Sequence, residues 1–220
     1  MGRFKKIITK TNAKYLLSEV VLIFVGISLA IWFNNWNENR KTNSTKSIVL
    51  SKLQSEINNN YEEIENSIQH LDTLIKTLSD FKKISNFNTA FEASLEQLNQ
   101  FQKNHPSFYK IHESKKITGS HLYNFDGSIT MYFEITNLRF IALETAKTTN
   151  TLGKIKYDCL YNLEDLYSQK YRVSRLTNRA VELMQEGDFE GLLRNLKQIR
   201  QLNTQLIQQY EKTKYTFNDC

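Results

Sequence analysis

Residues that form tight turns are scarce in this sequence, whose 220 residues include 7 glycines and 1 proline. Proteins built mainly from β-sheets need many tight turns, and those turns use glycine and proline. The scarcity therefore favours a fold of long helices that are joined by few connections.

Cysteine is also scarce, with 2 residues at positions 159 and 220. Two cysteines this far apart in the sequence predict neither a disulfide framework nor a zinc motif. Cys220 could link two copies of the chain in an oxidising compartment, but the sequence does not require such a link.

The sequence lacks the short motifs of the common enzyme classes. It has no phosphate-binding loop, no Gly-x-Ser-x-Gly, no His-Glu-x-x-His and no Cys-x-x-Cys. His105, His112 and His121 cluster near Glu113 and Asp126, but their spacing matches no metal-ligand pattern. We interpret them as surface histidines on a loop, and we predict no catalytic residue, no cofactor and no metal.

The net charge of +6 is unevenly distributed. Residues 1–14 carry five bases and no acid, whereas the apolar stretch at residues 15–33 carries a single charge, Glu19. The remainder of the chain is nearly balanced. A nucleic-acid-binding domain places its bases on a folded face, so we predict no nucleic-acid partner and interpret the basic tail as a membrane-flanking segment.

One long apolar run, at residues 15–33, reads YLLSEVVLIFVGISLAIWF. As a helix it rises about 28 Å at about 1.5 Å per residue, close to the bilayer hydrocarbon thickness of about 30 Å. We predict a transmembrane helix over residues 15–36 after a basic cytoplasmic tail at residues 1–14. A buried core helix is a weaker alternative because soluble helices keep a polar face. A cleaved signal peptide is also weaker because the run is long and no clear cleavage site follows it.

Aromatic residues mark both ends of the run. Tyr15 lies at one end, and Trp32 and Trp36 lie one helical turn apart at the other. Amphipathic rings prefer the headgroup level of a bilayer, so we predict that these three residues anchor the span in the lipid.

The bases beside the span predict its orientation. Five Lys and Arg residues precede the run and three follow it closely. Because bases concentrate on the cytoplasmic side, we predict a cytoplasmic N-terminus in a bacterial inner membrane, with the bulk of the chain in the periplasm. The opposite orientation is the alternative.

Three residues inside the span are candidates for a role beyond anchoring. Gly26 and Ala30 form a small-xxx-small pair that allows two helices to approach closely, although such pairs also occur by chance. Glu19 is an ionisable group in a membrane segment and is therefore a functional candidate. We favour the alternative in which it reaches the nearby cytoplasmic surface.

The residues around the span resemble an uncharacterised family of bacterial single-span membrane proteins. The resemblance rests on Ser18-Glu19, Gly26, the exit motif Asn34-Asn35-Trp36-Asn37-Glu38 and Arg40-Lys41, and on residues 143–152 with Leu160, Leu163, Leu166 and Tyr167. These stretches cover about a quarter of the chain. Members of that family have a basic N-terminus, one span and a helical domain of unknown function, so the resemblance implies a topology rather than an activity.

Two positions depart from the pattern of that family. Asn150 replaces a glycine that usually ends a helix, and asparagine also tolerates the left-handed conformation found there. Ala146 replaces a usual leucine, so we expect different packing around it.

A seven-residue apolar repeat follows a polar link at residues 37–47. Its members are Leu50, Ile57, Ile64, Leu71 and Leu78. A repeat of this length predicts a long bundle or coiled-coil helix, which could continue from the membrane helix almost without a break. We favour an intramolecular bundle over an intermolecular coiled coil.

The rest of the extracytoplasmic domain, residues 48–220, also has mainly helical patterns. We predict a helix at residues 88–103 capped by Asn88, and an insertion at residues 105–137 with a β-hairpin turn at Asp126-Gly127. Further helices are expected at residues 138–149, from Asp158 to a stop at Gly187, and after a cap at Asp188. The predicted fold is mainly α: one N-terminal transmembrane helix and then an antiparallel bundle of long helices with a small β-hairpin insertion.

Four tyrosines on the fourth outer helix suit either a bundle core or a partner interface. They are Tyr157, Tyr161, Tyr167 and Tyr171. We favour the core.

These patterns favour a membrane-anchored interaction or scaffold component that faces the periplasm. Its expected partners are the lipid bilayer and another protein or a second copy of the chain. The alternative is a ligand-sensing bundle that acts through a partner membrane protein, because a tail of about fourteen residues leaves no room for a signalling domain. An enzyme is the least expected class, since no catalytic constellation is recognisable.

Overall fold

The structure, a computed structural model, describes residues 10–217 and residue 220. Residues 1–9 of the predicted basic tail lie outside the described part. The chain divides into two compact units between Leu50 and Ser51, and the first helix, α1 (Lys10–Ser85), contributes to both.

The first unit contains the apolar segment of α1. An 18-residue window within it has a mean hydropathy of 2.3, and none of that window is buried inside the protein. The segment is thus long and apolar enough to cross a membrane, and it is not covered by protein as a core helix would be. Residues 37–47, the predicted polar link, are helical, which is consistent with the absence of glycine and proline from this stretch.

The second unit is mainly helical and contains a small antiparallel sheet. Its elements are β1 (Ala90–Ser94), α2 (Leu95–Asn104), β2 (Tyr109–Lys116), β3 (Leu122–Ile129), α3 (Ile141–Thr148), a 3₁₀ turn (Leu152–Lys154), α4 (Tyr157–Glu186) and α5 (Phe189–Phe217). The mainly helical fold class is confirmed, and the β element is a three-stranded sheet instead of a hairpin.

The second half of α1 forms a bundle with α4 and α5. Its repeat positions Ile57, Ile64, Leu71 and Leu78 are buried, together with Leu53, Asn60, Thr77, Phe81 and Ser85. The helix α5 runs antiparallel to α1, as the ion pair between Asp72 and Arg200 (3.0 Å) and the hydrogen bond between Tyr61 and Glu211 (3.1 Å) show. The repeat therefore serves the core of a single chain, in agreement with the intramolecular interpretation.

The sheet has the strand order β1-β3-β2, and this corrects the predicted hairpin turn. Asp126 and Gly127 lie inside β3, where Asp126 pairs with Ala90 of β1. A Cβ atom at position 127 would collide with the carbonyl oxygen of Lys110 and would lie 2.7 Å from Cζ of Tyr109. The glycine is thus needed for a close approach between strands.

Tyr109 is the large side chain that lies over this glycine. Its hydroxyl donates to the carbonyl oxygen of Thr89 at 2.5 Å, which ties β2 to the chain before β1. Burial raises the pKa of Tyr109 to about 12, and the charge of Asp126 adds to the increase. The phenol is therefore a neutral, hydrogen-bonded part of the core.

The predicted helix at residues 88–103 is wrong in its first third. Residues 90–94 form β1, in which Phe91 and Ala93 are buried and their neighbours are exposed or half-buried. The helix α2 begins after Ser94, not Asn88, because Ser94 and Gln97 form a reciprocal capping box.

The predicted helix ends at positions 150 and 187 are confirmed. Asn150 and Gly187 adopt φ angles of 52° and 72°, and Asp188 Oδ1 accepts a hydrogen bond from the N–H of Gly191 at 2.7 Å. The predicted cap at Asp158 is wrong, because α4 begins at Tyr157 after Lys156, which makes no side-chain cap bond. Asp158 instead places its charge in the first turn, where the helix dipole favours it.

The two cysteines, which the sequence did not pair, form a disulfide with 6.1 Å between their Cα atoms. Cys220 is bonded within the chain and therefore has no free thiol with which to link two copies. The antiparallel hairpin of α4 and α5 returns the end of the chain to the start of α4, so that residues 61 apart in sequence become neighbours.

Candidate functional site

The predicted membrane residues lie along α1 and do not converge on one site. Tyr15, Trp32 and Trp36 are all exposed, with the guanidinium of Arg40 5.8 Å from the ring centroid of Trp36. Glu19, Gly26 and Ala30 are also exposed, and a Cβ added at Gly26 would meet no atom within 4 Å. Each of these residues is therefore free to contact lipid or another helix.

The histidines that were predicted to share a surface loop do not share one environment. His112 is exposed on β2 and lies 3.1 Å from the hydroxyl of Ser128, and His121 is exposed before β3. His105 is 8% exposed, which corrects the surface prediction for this residue. It follows α2 directly and packs 4.9 Å from the ring of Phe101.

His105 forms part of the floor of a cleft in the second unit. The cleft has a volume of about 400 Å³ and lies between the middle of α1, the turn after α2 and residues 130–134. Its apolar lining residues are Leu71, Leu74, Pro106, Phe108, Met131 and Phe133. Its polar lining residues include Ser67, His70, Thr73, Thr77, His105 and Glu134. A concavity that combines apolar walls with convergent polar groups is typical of small-molecule sites.

The ring of His105 is held between two side chains of α1. Its Nδ1 lies 2.9 Å from Thr77 Oγ1, and its Nε2 lies 3.0 Å from Asp80 Oδ2. The pKa of Asp80 is below its ordinary value, chiefly because Lys83 donates to it and further because His105 does, while burial acts in the opposite direction. The carboxylate is therefore charged and orients the imidazole.

Thr77 in this Thr–His–Asp arrangement is a buried side chain of α1. The hydroxyl of Thr77 donates to the carbonyl oxygen of Thr73 at 2.9 Å, in the manner common for threonine inside a helix. The hydroxyl has one proton, and Nδ1 of His105 lies at the same distance of 2.9 Å, so the two acceptors compete for that proton when the ring donates from Nε2 to Asp80. The two contacts fix His105 to α1 at the floor of the cleft.

A second feature beside the cleft is a polar stripe on α1. It consists of Glu56, Asn60, Glu63, Ser67 and His70. These side chains form hydrogen bonds or ion pairs with residues 134–143, which run antiparallel to the helix. The residues contacted are Glu134, Thr136, Asn137, Arg139, Ala142 and Leu143. The stripe therefore attaches a segment that is mostly without regular structure to the bundle.

Glu56, the first residue of this polar stripe, also caps α3. The carboxylate of Glu56 accepts from the N–H of Ala142 at 2.8 Å and from that of Leu143 at 3.4 Å. The residue at the N-cap position, Phe140, has no side chain able to do this. The sequence signal for the polar stripe was present, since its members recur at alternating spacings of four and three residues.

Most of the tyrosines of α4, which were predicted to be core residues, do not lie in the core. Tyr157, Tyr161 and Tyr171 are exposed. Only Tyr167 is half-buried, and its hydroxyl donates to Glu144. The buried seam of α4 instead consists of Cys159, Leu163, Leu166, Val173, Thr177, Ala180 and Leu183.

The exposed tyrosines share their side of α4 with arginines. We call Tyr157, Tyr161, Tyr171, Arg172 and Arg175 the tyrosine–arginine face; the spacing of these residues places them within about a third of the helix circumference. Tyr171, Arg172 and Arg175 also line a shallow groove on this face.

Comparison with known proteins gives a family but no function. No curated protein and no solved structure matches the chain. The model of a family of unknown function, DUF6090, matches residues 19–184, a range that includes both the Asn-Asn-Trp-Asn-Glu motif and the helix end at Asn150. Because this match covers more than half of the sequence, the chain belongs to the DUF6090 family of unknown function.

Proposed function

We propose that the protein is a membrane-anchored interaction component with a binding role and no catalytic one. Residues 15–36 span a bacterial inner membrane, residues 1–14 lie in the cytoplasm, and the second unit faces the periplasm. The exposed apolar window of α1 supports the anchor, because so large an apolar surface is stable only in lipid or against protein.

The disulfide supports the periplasmic assignment of the second unit. Structural disulfides persist in oxidising compartments and are rare in the reducing cytosol. Cys159 and Cys220 are joined at the base of the α4–α5 hairpin. A chain with its second unit in the cytosol would keep these two thiols reduced.

The tyrosine–arginine face is the observation that carries the interaction role. Tyrosine and arginine are enriched in protein interfaces and dominate their binding energy. Arg179 forms ion pairs with Glu182 and Glu186, whereas Arg172 and Arg175 have no acidic partner in the described part of the chain. The unpaired charges favour a protein partner with an acidic surface.

The topology is tested with alkaline phosphatase fused after Lys41, since this enzyme becomes active only where its own disulfides form. We expect high activity, and a matched green fluorescent protein fusion at the same residue should be dark. The reverse result would place the second unit in the cytoplasm and contradict the proposed orientation.

The interaction is tested by photocrosslinking in intact membranes. A benzophenone amino acid at Tyr161 or Tyr171 should give a discrete crosslinked product, and the same group at Lys115 on the exposed strand β2 is the control. Reversing both charges, Arg172→Glu with Arg175→Glu, should remove the product. Recovery of monomer alone would contradict the interaction role, and a product at twice the mass of the chain would assign the face to self-association instead of an acidic partner.

A further inference from the structure

We propose that the cleft beside α1 binds a small organic cation, an ammonium group carried on an apolar or aromatic body. This inference goes beyond the proposed function and does not depend on it, since the cleft and the tyrosine–arginine face have no residue in common. It rests on the size of the cleft, on the sign of its charges and on the position of one carboxylate.

The size and walls of the cleft suit a small ligand with an apolar body. Its volume of about 400 Å³ falls within the range of about 300–1,000 Å³ found for ligand pockets. Leu71 and Phe108 are buried and form fixed parts of its wall, while Leu74, Met131 and Phe133 are half-buried and complete the wall. An apolar group placed there would be removed from water, which is favourable in proportion to the area covered.

The charges around the cleft select a cation. None of the described residues that line it is lysine or arginine, so an anionic ligand would be desolvated without a compensating charge. Glu134 is the one carboxylate among these lining residues, and the remaining polar groups are hydroxyls, the amide of Asn104 and two imidazoles. Hydroxyl and carboxylate oxygens accept hydrogen bonds from an ammonium group.

Glu134 is placed to receive that ammonium group at the mouth of the cleft. Its Oε2 lies 3.2 Å from His70 Nε2, and its Oε1 has no hydrogen-bond partner within the described part of the chain. The two side chains are 68% and 65% exposed, so the pair is weak and a ligand can displace the imidazole. Glu134 would then exchange an exposed pair for a charge-assisted hydrogen bond that is partly shielded from water.

Aromatic rings border the same carboxylate. Phe133 precedes it, and the exposed ring of Tyr132 stands at the same rim of the cleft. A cation within about 6 Å of an aromatic face is attracted by the ring. Residues 131–134 belong to no helix or strand, so these rings can adjust to a ligand without breaking backbone hydrogen bonds of a sheet.

The test is calorimetric titration of the full chain in phosphatidylcholine nanodiscs, with empty nanodiscs as the blank. The two probes are 2-phenylethylammonium and 3-phenylpropanoate, which have similar shapes and opposite charges. We expect a Kd of about 1 mM or lower for the ammonium and no saturable heat for the carboxylate. Equal binding of both probes, or of neither, would overturn the proposal.

Three variants locate the binding site. Glu134→Gln should weaken binding of the ammonium about tenfold, the factor that one charge-assisted hydrogen bond supplies. His70→Ala should bind it at least as tightly because the carboxylate no longer has a competitor. The control, Glu182→Gln, removes a glutamate on α4 that does not line the cleft, and should bind like the parent. An unchanged Kd for Glu134→Gln, or a weaker one for His70→Ala, would contradict the placement of the cation.

Discussion

The side-chain amide of Asn60 binds both main-chain groups of Arg139. Its Nδ2 donates to the carbonyl oxygen at 2.6 Å, and its Oδ1 accepts from the N–H at 2.8 Å. Asn60 is 3% exposed, so these hydrogen bonds are shielded from water. A helix side chain thereby supplies the two hydrogen bonds that a neighbouring β-strand would supply to an extended residue.

Replacing this amide tests the role of the polar stripe. Asn60→Asp replaces the Nδ2 donor with a carboxylate oxygen, which would face the carbonyl oxygen of Arg139 with no proton between them. We therefore expect the free energy of unfolding to fall by about 1–3 kcal/mol at neutral pH. Asn59→Asp makes the same chemical change on an exposed neighbour and should have little effect. Urea unfolding followed by circular dichroism measures both. Equal stability of the two variants would mean that the hydrogen bonds to Arg139 contribute nothing.

Reducing the disulfide should destabilise the bundle. The bond closes a loop between residues 61 apart, and bonds of this kind contribute about 2–4 kcal/mol, chiefly by restricting the unfolded chain. We expect a lower melting temperature for the reduced parent. The double variant Cys159→Ser with Cys220→Ser should melt near the reduced parent and should not respond to reductant, which is the control.

The close approach at Gly127 predicts the effect of a single methyl group. Gly127→Ala would force apart the two strands that meet at Lys110, at a cost of about 1–3 kcal/mol. At Gly153 an added Cβ has no atom within 4 Å, so Gly153→Ala should leave the melting temperature almost unchanged. A similar loss at both positions would contradict this explanation, because Gly→Ala by itself lowers the entropy of the unfolded chain and favours the folded protein.

The contacts of Asp80 with Lys83 and His105 predict a dependence of stability on pH. Because the pKa of this carboxyl is lowered in the folded protein, its contribution is fully present above its ordinary value of 3.8 and is lost as the pH falls through the lower folded-state value. The stability difference between the parent and Asp80→Asn should therefore be largest near neutral pH and should shrink in strong acid.

Carboxyl titration by NMR checks the cause of that shift. Lys83 lies 2.8 Å from Asp80 Oδ1 and has the largest influence on its pKa. Lys83→Met should move the midpoint of Asp80 upward toward 3.8. A midpoint that does not move would assign the shift to His105 alone.

Local sequence signals predicted the parts of the fold that local physics determines. The seven-residue repeat gave the buried seam of α1 because its period matches one side of a helix. Gly187 and Asn150 marked helix ends because few other residues adopt positive φ. The apolar run at residues 15–33 predicted a span by length and composition alone, and its exposure in the structure is compatible with that prediction.

The features that the sequence predicted wrongly or not at all depend on contacts between residues that are far apart in the sequence. Asp126-Gly127 has the composition of a hairpin turn, yet Gly127 is required where β3 passes Lys110 and Tyr109 of another strand. The disulfide could not be predicted from sequence spacing, because Cys159 and Cys220 become neighbours only through the antiparallel packing of α4 against α5.

The cleft was missed for a related reason. Polar residues along a helix suggest a solvated face, and nothing adjacent in sequence shows that Ser67 and His70 meet residues 134–136. His105 looked like one of three loop histidines, and its burial depends on Thr77 and Asp80 of another element.

The bond between Cys159 and Cys220 makes the α4–α5 hairpin a covalent ring that includes the turn at Gly187. A protease that cuts this turn would leave both halves attached. The clipped molecule would migrate as a single species on a denaturing gel and would separate into two fragments only after reductant is added. Migration on a non-reducing denaturing gel is therefore a poor indicator of an unbroken chain in this protein.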